Sequence, residues 1–128
     1  MIALIDTSTP ICWLTLVDGD ESKQYSWQAD RDLAKGLLTY LRDRLAENDT
    51  DFNGLSGLGV MSGPGSFTGL RIGITVFNTI ASSLDIPIVG EQGDDWQSRA
   101  LKRLADGENH RLVMPHYGSP ANITKPRK

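Results

Sequence analysis

Residues 55–84 read LSGLGVMSGPGSFTGLRIGITVFNTIASSL, and this stretch decides the fold. Its first part, 55–61, is a short apolar run that predicts a buried strand, with two internal glycines that allow another backbone to approach closely. After a loop, apolar residues recur at helical spacing and predict a helix that begins near Ser66 or Thr68 and ends near Leu84. A buried strand that leads through a loop into a helix indicates an α/β domain.

The elements on either side of this unit complete the domain. Upstream, apolar runs and turn residues predict three strands, at 2–5, 11–17 and 21–28, and leucines at every fourth position predict a helix over 33–45. Downstream, the pattern predicts a strand at 86–89 and a helix over 94–104. The order βββαβαβα predicts an α/β fold with a mixed five-stranded sheet, which is also the order of a single actin-like (ASKHA, RNase H-like) half-domain.

Two segments are therefore expected. Residues 1–105 are predicted to form the actin-like N-terminal half-domain. From 106 onward the sequence is polar and contains glycine, proline and basic residues, so 106–128 is predicted to be a flexible tail.

The composition bounds the class of protein. A chain of 128 residues with 39% hydrophobic and 23% charged residues fits one globular domain, and its net charge of −3 argues against a stand-alone nucleic-acid binder. Cys12 is the single cysteine, so this chain can form neither an intrachain disulfide nor a zinc site built from thiolates. Its N-terminus resembles neither a signal peptide nor a membrane span, and we expect a cytoplasmic protein with no membrane partner.

The loop before the second helix, GPGSFTGLRIG at 63–73, is glycine-rich like the loops that bind phosphate. A helix N-terminus presents free N–H groups and a positive dipole to an anion. A P-loop, however, ends in Gly-Lys-Ser/Thr, and this segment has no lysine. A dinucleotide fingerprint would need glycine after Gly63 and Gly65 at the position that Thr68 occupies. The segment therefore matches neither of the common nucleotide loops.

The same segment does resemble the signature of the TsaB (YeaZ) family. The signature residues in this chain are Gly63, Pro64, Gly65, Ser66, Phe67, Thr68, Gly69 and Arg71. The sequence IALIDTSTPICWLTL at 2–16 is similar to the family's opening strand, Asp-Thr turn and second strand, and 86–90 resembles its next strand. The resemblance covers residues 1–92 and, more loosely, 115–128.

Three departures separate the chain from the family pattern. Relatives usually carry a histidine and a polar residue where 32–34 reads Asp-Leu-Ala, and a pair of small residues where Glu91 and Gln92 stand. The family also has a second actin-like half after the third helix, and this sequence contains nothing of the kind. The resemblance is therefore to a shortened member.

What the resemblance implies is a role in tRNA modification. TsaB proteins are inactive relatives of TsaD, which transfers a threonylcarbamoyl group to N6 of adenosine 37 in tRNA. A TsaB protein binds TsaD through its leucine-rich and glycine-rich helices, and an ATPase, TsaE, joins the pair in bacteria. By resemblance this chain is a non-catalytic scaffold that meets tRNA only indirectly. It would need no cofactor of its own, since ATP or ADP and metal are expected only in the partner proteins.

The resemblance also places the partner surface on the first two helices. The predicted contact residues are Leu33, Gly36, Leu37, Tyr40, Leu41, Gly69, Leu70, Gly73 and Phe77. Glycine inside a helix costs about 0.5–1 kcal/mol relative to alanine, so the three glycines in this set indicate a use. They either pack against the chain's own sheet or let a partner helix approach closely, and we favour the partner. A homodimer is the expected state in the absence of TsaD.

Asp6 and Thr7 lie in the turn that contacts phosphate or metal in active actin-like enzymes, which makes them candidates for a vestigial nucleotide contact. Alternatively, both side chains hydrogen-bond within their own turn. We favour this alternative, because no general base or metal ligand accompanies them. On the same ground Ser66 and Thr68 are interpreted as helix caps rather than nucleophiles.

Two other functions stay open at this point. One is a small ATP-binding or ATP-hydrolysing protein that completes its cleft by dimerising, and the other is an interaction module for a different partner. A metal enzyme is disfavoured, because His110 and His116 lie in a predicted loop rather than on one helical face. We interpret both as surface histidines and predict no metal site.

Overall fold

The computed structural model describes residues 1–65 and 67–116, and the predicted mixed sheet of five strands forms in it. The strands are β1 Ile2–Asp6, β2 Ile11–Asp18, β3 Glu21–Gln28, β4 Gly57–Gly63 and β5 Ile88–Gln92. Their order is β3-β2-β1-β4-β5, with β1 antiparallel to β2 and parallel to β4. The helices are α1 Leu33–Glu47, α2 Phe67–Leu84 and α3 Trp96–Ala105. The α/β fold and the element order are as predicted.

The larger core lies between one face of the sheet and the helices α1 and α2. Alternate strand residues point to this face, among them Ala3, Ile5 and Leu14, because successive side chains of a strand point to opposite faces. The leucines at every fourth position of α1 lie on one side of the helix and are all buried here: Leu33, Leu37, Leu41 and Leu45. This stripe therefore holds α1 on its own sheet.

The smaller core lies on the opposite face, under α3. Trp96 and Ala100 of this helix are buried together with Leu4 of the sheet. A Cβ added at Gly59 would lie 2.5 Å from Cδ2 of Leu4 and 3.2 Å from the Cβ of Ala100. Since no real side chain fits at that distance, the absence of one at position 59 is what lets α3 pack directly on β4.

The observed strand bounds differ most from the predicted ones at β4 and β5. β5 begins at Ile88 rather than at Ile86, because Pro87 has no N–H to offer the sheet and contributes only its carbonyl, which accepts from the N–H of Leu58 at 3.0 Å. β4 begins at Gly57 rather than at Leu55, since Leu55 caps the 3₁₀ turn Phe52–Gly54 and donates its N–H to the carbonyl of Phe52 at 3.1 Å. These shifts leave the topology unchanged.

The predicted flexible tail is wrong for the described residues that follow α3. Residues 108–116, called the strap below, run along β5 towards α2. The N–H of His110 donates to the carbonyl of Ile88 at 2.8 Å. The side chain of Asn78 on α2 accepts from the N–H of Val113 and donates to its carbonyl, both at 2.9 Å. Residues 117–128, the rest of the predicted tail, lie outside the described part.

A buried ion pair ties β5 to α3. The side chain of Glu91 is 9% exposed and accepts from Nε of Arg99 at 2.9 Å and from Nε of Arg103. Burial alone would raise the pKa of this carboxyl, but the hydrogen bonds from the two guanidinium groups outweigh it and hold the pKa below its usual value of 4.5. Position 91, where the sequence departs from the family's small residue, is thus charged to anchor a helix.

Glu91→Gln is expected to lower the free energy of unfolding at neutral pH. Because the folded-state pKa of Glu91 is depressed, its contribution is present above the unfolded-state pKa and is lost as the pH falls through the folded-state pKa. The stability difference between wild type and variant should therefore be full at pH 7 and shrink as the pH falls below the ordinary carboxyl pKa of 4.5. Urea unfolding at a series of pH values measures it. A difference that persists undiminished into acid would contradict the role assigned to the charge.

Candidate helical interface

The signature loop lies directly against the turn between β1 and β2. A Cβ added at Gly65 would lie 2.4 Å from the Cβ of Ser8 and 2.7 Å from its carbonyl oxygen, so only glycine allows this approach. α2 begins immediately after the loop at Phe67. Thr68 therefore lies inside the first turn of the helix, and the interpretation of Thr68 as its cap is wrong. Ser66, the other predicted cap, lies outside the described residues, as does the side chain of Phe67.

Thr7 fixes α2 on β1. Its side chain is buried, and its hydroxyl donates to the carbonyl of Gly69 at 2.7 Å. A Cβ added at Gly73, one helical turn further on, would lie 2.2 Å from Oγ1 of Thr7. Position 73 therefore accommodates the chain's own first strand, and the prediction that it is open to a partner helix is wrong.

The Asp6 carboxylate is hydrogen-bonded within its own turn, which is the interpretation favoured from the sequence. Its Oδ1 accepts from the N–H of Ser8 at 2.9 Å and from the hydroxyl of Ser8 at 2.6 Å. This is the Asx-type arrangement in which a short carboxylate closes a tight turn. Thr7 differs from the expectation, since its hydroxyl bonds to α2 and not within the turn.

The leucines and the phenylalanine predicted to contact a partner are in the core instead. Their side chains are at most 5% exposed: Leu33, Leu37, Leu41, Leu70 and Phe77. They face the chain's own sheet, so their side chains are used within the fold and are not presented to a partner. Spacing at every fourth residue identifies an apolar helix face, but it does not say whether that face meets a sheet or another chain.

Gly36 and Tyr40 also pack on the sheet. A Cβ added at Gly36 would lie 2.8 Å from Cη2 of Trp27 on β3. The rings of Tyr40 and Trp27 are stacked with centroids 4.9 Å apart, and the guanidinium of Arg44 covers the Tyr40 ring at 5.0 Å. These contacts hold α1 over the edge strand and leave both residues half-buried.

The outer side of the two helices forms a different apolar surface, called the α1/α2 face below. It consists of Ala34, Leu38, Ile72, Thr75 and Val76. Leu38, one turn beyond Ala34 on α1, is 52% exposed. A groove of about 440 Å³ between the helices is lined by Ala34, Thr68, Arg71, Ile72, Thr75 and Val76. Ala34 and Leu38 each follow a buried leucine by one position, so the exposed side of α1 lies one residue further along the helix than its buried stripe.

The lining of this groove contains no carboxylate, histidine or cysteine, and its hydroxyls, on Thr68 and Thr75, have no general base beside them among the lining residues. Such a groove suits helix packing rather than chemistry. The two histidines do not alter this. Nδ1 of His110 accepts from the N–H of Gly90 at 3.1 Å, which gives this ring a structural contact with β5, and the side chain of His116 is exposed.

Within ranges 1–65 and 67–116 no three His, Cys, Asp or Glu side chains are grouped to hold a metal ion. Nor is any helix of those ranges long and apolar enough to cross a bilayer.

Comparisons with known proteins agree with this geometry. A family model described as TsaD, tRNA N6-adenosine threonylcarbamoyltransferase, matches residues 27–92. The tRNA threonylcarbamoyladenosine biosynthesis protein TsaB of Haemophilus influenzae is 30% identical over 105 residues, covering 82% of this chain and 44% of that protein. The protein of the same name from Escherichia coli is 30% identical over 89 residues, covering 70% of this chain and 38% of that protein.

Among solved structures, the chain is similar to an uncharacterized protein from Pseudomonas aeruginosa described by its similarity to peptidase YEAZ. The TM-score is 0.67 and the identity 30%, over 71% of this chain and 42% of that one. The chain therefore belongs to the family that the TsaD model describes, in its TsaB (YeaZ) branch. It spans about two-fifths of the length of the curated relatives it matches.

The contact between Thr7 and Gly73 can be tested by a double-mutant cycle. Gly73→Ala gains helix propensity but forces its Cβ against the Thr7 side chain, and we expect a net loss of about 1–3 kcal/mol in the free energy of unfolding. In a Thr7→Ala background the nearest atom is gone, so the same substitution should cost less. Urea unfolding of the four proteins measures the coupling. Equal costs of Gly73→Ala in both backgrounds would rule out the contact as the reason for glycine.

Proposed function

We propose that this chain takes part in the formation of threonylcarbamoyladenosine on tRNA as a non-catalytic partner of a TsaD-type protein. Its relatives are named for this pathway, and the family model it matches is that of the transferase. Pairing takes place through the α1/α2 face. The chain itself supplies a surface, and the transfer chemistry belongs to the partner.

The observation that carries the proposal is an apolar helix surface that residues 1–65 and 67–116 leave uncovered. The leucine stripe of α1 is already used by the sheet, and yet Leu38 projects outward beside Ala34. Ile72 and Val76 on α2 are only half-buried and border the same groove. Burying a leucine side chain fully contributes about 1.5–3 kcal/mol, so a few such residues on a rigid pair of helices can anchor a partner helix.

The polar residues near the signature loop support a non-catalytic role. The Asp6 carboxylate is engaged by Ser8, and the Thr7 hydroxyl is buried and donates to a backbone carbonyl. Groups that an active enzyme of this fold would direct at phosphate or metal are thus used here to hold a turn and a helix. This favours the scaffold over the alternative of an ATP-hydrolysing protein.

Leu38→Asp is expected to weaken binding to the TsaD-type protein of the same genome by at least about tenfold, because it places a charge in the centre of the proposed interface. Isothermal titration calorimetry on the two purified proteins measures the dissociation constant. Ser98→Asp is the matched control, since it adds the same charge at an exposed position of α3 on the opposite face of the sheet.

Thermal unfolding of both variants should match the wild type, since both positions are exposed in the free chain. Wild-type affinity in Leu38→Asp, or no binding by the wild type at all, would contradict the proposed function. Loss of affinity in both variants would also contradict it, because the effect would then come from charge alone and not from the α1/α2 face.

A further inference from the structure

The strap directs alternate side chains inward and outward. Val113 is 5% exposed and lies where Gly90 leaves room, since a Cβ at that glycine would be 2.6 Å from Cγ1 of Val113. Its two neighbours point the other way, with Leu112 63% and Met114 62% exposed. The strap is an extended segment with one side in the core and one apolar side in solvent.

The backbone that carries these two exposed side chains is anchored by hydrogen bonds. The side chain of Asn78 forms two hydrogen bonds of 2.9 Å with the backbone of Val113. The N–H of His116 donates to the carbonyl of Ser62 at 2.7 Å. Leu112 and Met114 lie between or beside these anchoring points. They are therefore presented at a defined position, so an incoming surface would meet side chains whose backbone is already ordered.

Exposed apolar residues cluster around α2. Four large apolar side chains are exposed in ranges 1–65 and 67–116: Trp13, Leu38, Leu112 and Met114. Trp13 lies on a strand away from α2, whereas Leu38 is on the helix that flanks α2 on one side and the other two are on the strap that flanks it on the other. Grouped exposure of this kind marks an interaction surface rather than the scattered leucines of any protein surface.

The surfaces on the two sides of α2 are continuous. A groove of about 480 Å³ runs between α2 and the strap, with Leu112, Met114 and Pro115 on the strap side. Arg71 and Thr75 line both this groove and the one between α1 and α2. A partner that covers the outer side of α2 therefore meets both grooves at once.

We propose that the strap extends the α1/α2 face, so that the TsaD-type partner also buries Leu112 and Met114. This inference rests on the proposed function and adds to it a contact formed by residues outside the matched range 27–92. The matching surface on the partner is apolar and places side chains in the grooves on both sides of α2. The flexible thioether of Met114 suits such a contact, because it adapts to the shape of the side chains it meets.

The experiment compares three variants with the wild type in titrations against the TsaD-type protein of the same genome. The strap variant is Leu112→Asp with Met114→Asp, and it leaves every backbone hydrogen bond of the strap in place. Its matched control is Ser98→Asp with Gln24→Asp, which adds the same charge at exposed positions of α3 and β3. Leu38→Asp reports separately on the α1/α2 face. Thermal unfolding checks that each variant is folded, and the milder Leu112→Ala with Met114→Ala replaces the strap variant if it is not.

We expect the strap variant to raise the dissociation constant by about tenfold or more and the alanine pair by about threefold, with the control unchanged. Weaker binding by Leu38→Asp together with wild-type binding by the strap variant would overturn this inference and leave the proposed function standing. No binding by the wild type would overturn both. A wild-type homodimer that the strap variant dissociates would assign the surface to a second copy of the chain and overturn the choice of partner.

Discussion

The hydroxyl of Thr7, which donates to the carbonyl of Gly69 at 2.7 Å, holds α2 against the turn between β1 and β2. The helix can come this close because positions 65 and 73 carry no side chain where Ser8 and Thr7 lie. Once α2 is seated in this way, its rotation about its own axis is set. Leu70 and Phe77 point into the core, while Ile72 and Val76 lie at its edge, half-buried, and line the groove beside α1. The glycine-rich signature is thus a packing requirement of the fold before it is anything else.

The rest of the domain follows from this placement. α1 packs beside α2, and its leucine stripe closes the larger core, while Trp27 and Tyr40 hold its other side over β3. On the opposite face α3 rests on the glycines of β4 and is held by the ion pairs of Glu91. The outer sides of α1 and α2 are then the apolar surface for which the fold provides no cover. The proposed partner role rests on that surface.

The fold can be predicted from the sequence because the signals for each element are local. Leucines at every fourth position, apolar runs bounded by turns and glycines in a central strand each identify an element within a few residues. The ordered strap could not be predicted in this way, because its order depends on residues distant in sequence. These are Asn78 on α2 and the backbone of Ile88 and Ser62. A polar segment without periodicity gives no sign of such contacts, and it was therefore predicted to be a tail.

The helix residues predicted to contact a partner lie in the chain's own core for a related reason. An apolar stripe looks the same in sequence whether a sheet or a second protein covers it, and Leu37 and Leu38 are adjacent in the chain. The use of a helical glycine is equally ambiguous, since Gly73 meets Thr7, a residue far away in sequence. Only the register of α2 on the sheet separates inward from outward positions.

The central claim is that the outer side of α1 and α2 is the partner surface. Hydrogen–deuterium exchange on this chain, alone and with the TsaD-type protein of its genome, tests it most directly. We predict slower exchange of the backbone amides over 33–47 and 67–84 in the complex, with the amides of β3 and α3 unchanged. Protection confined to α3 or β3, with no change over α1 and α2, would contradict it.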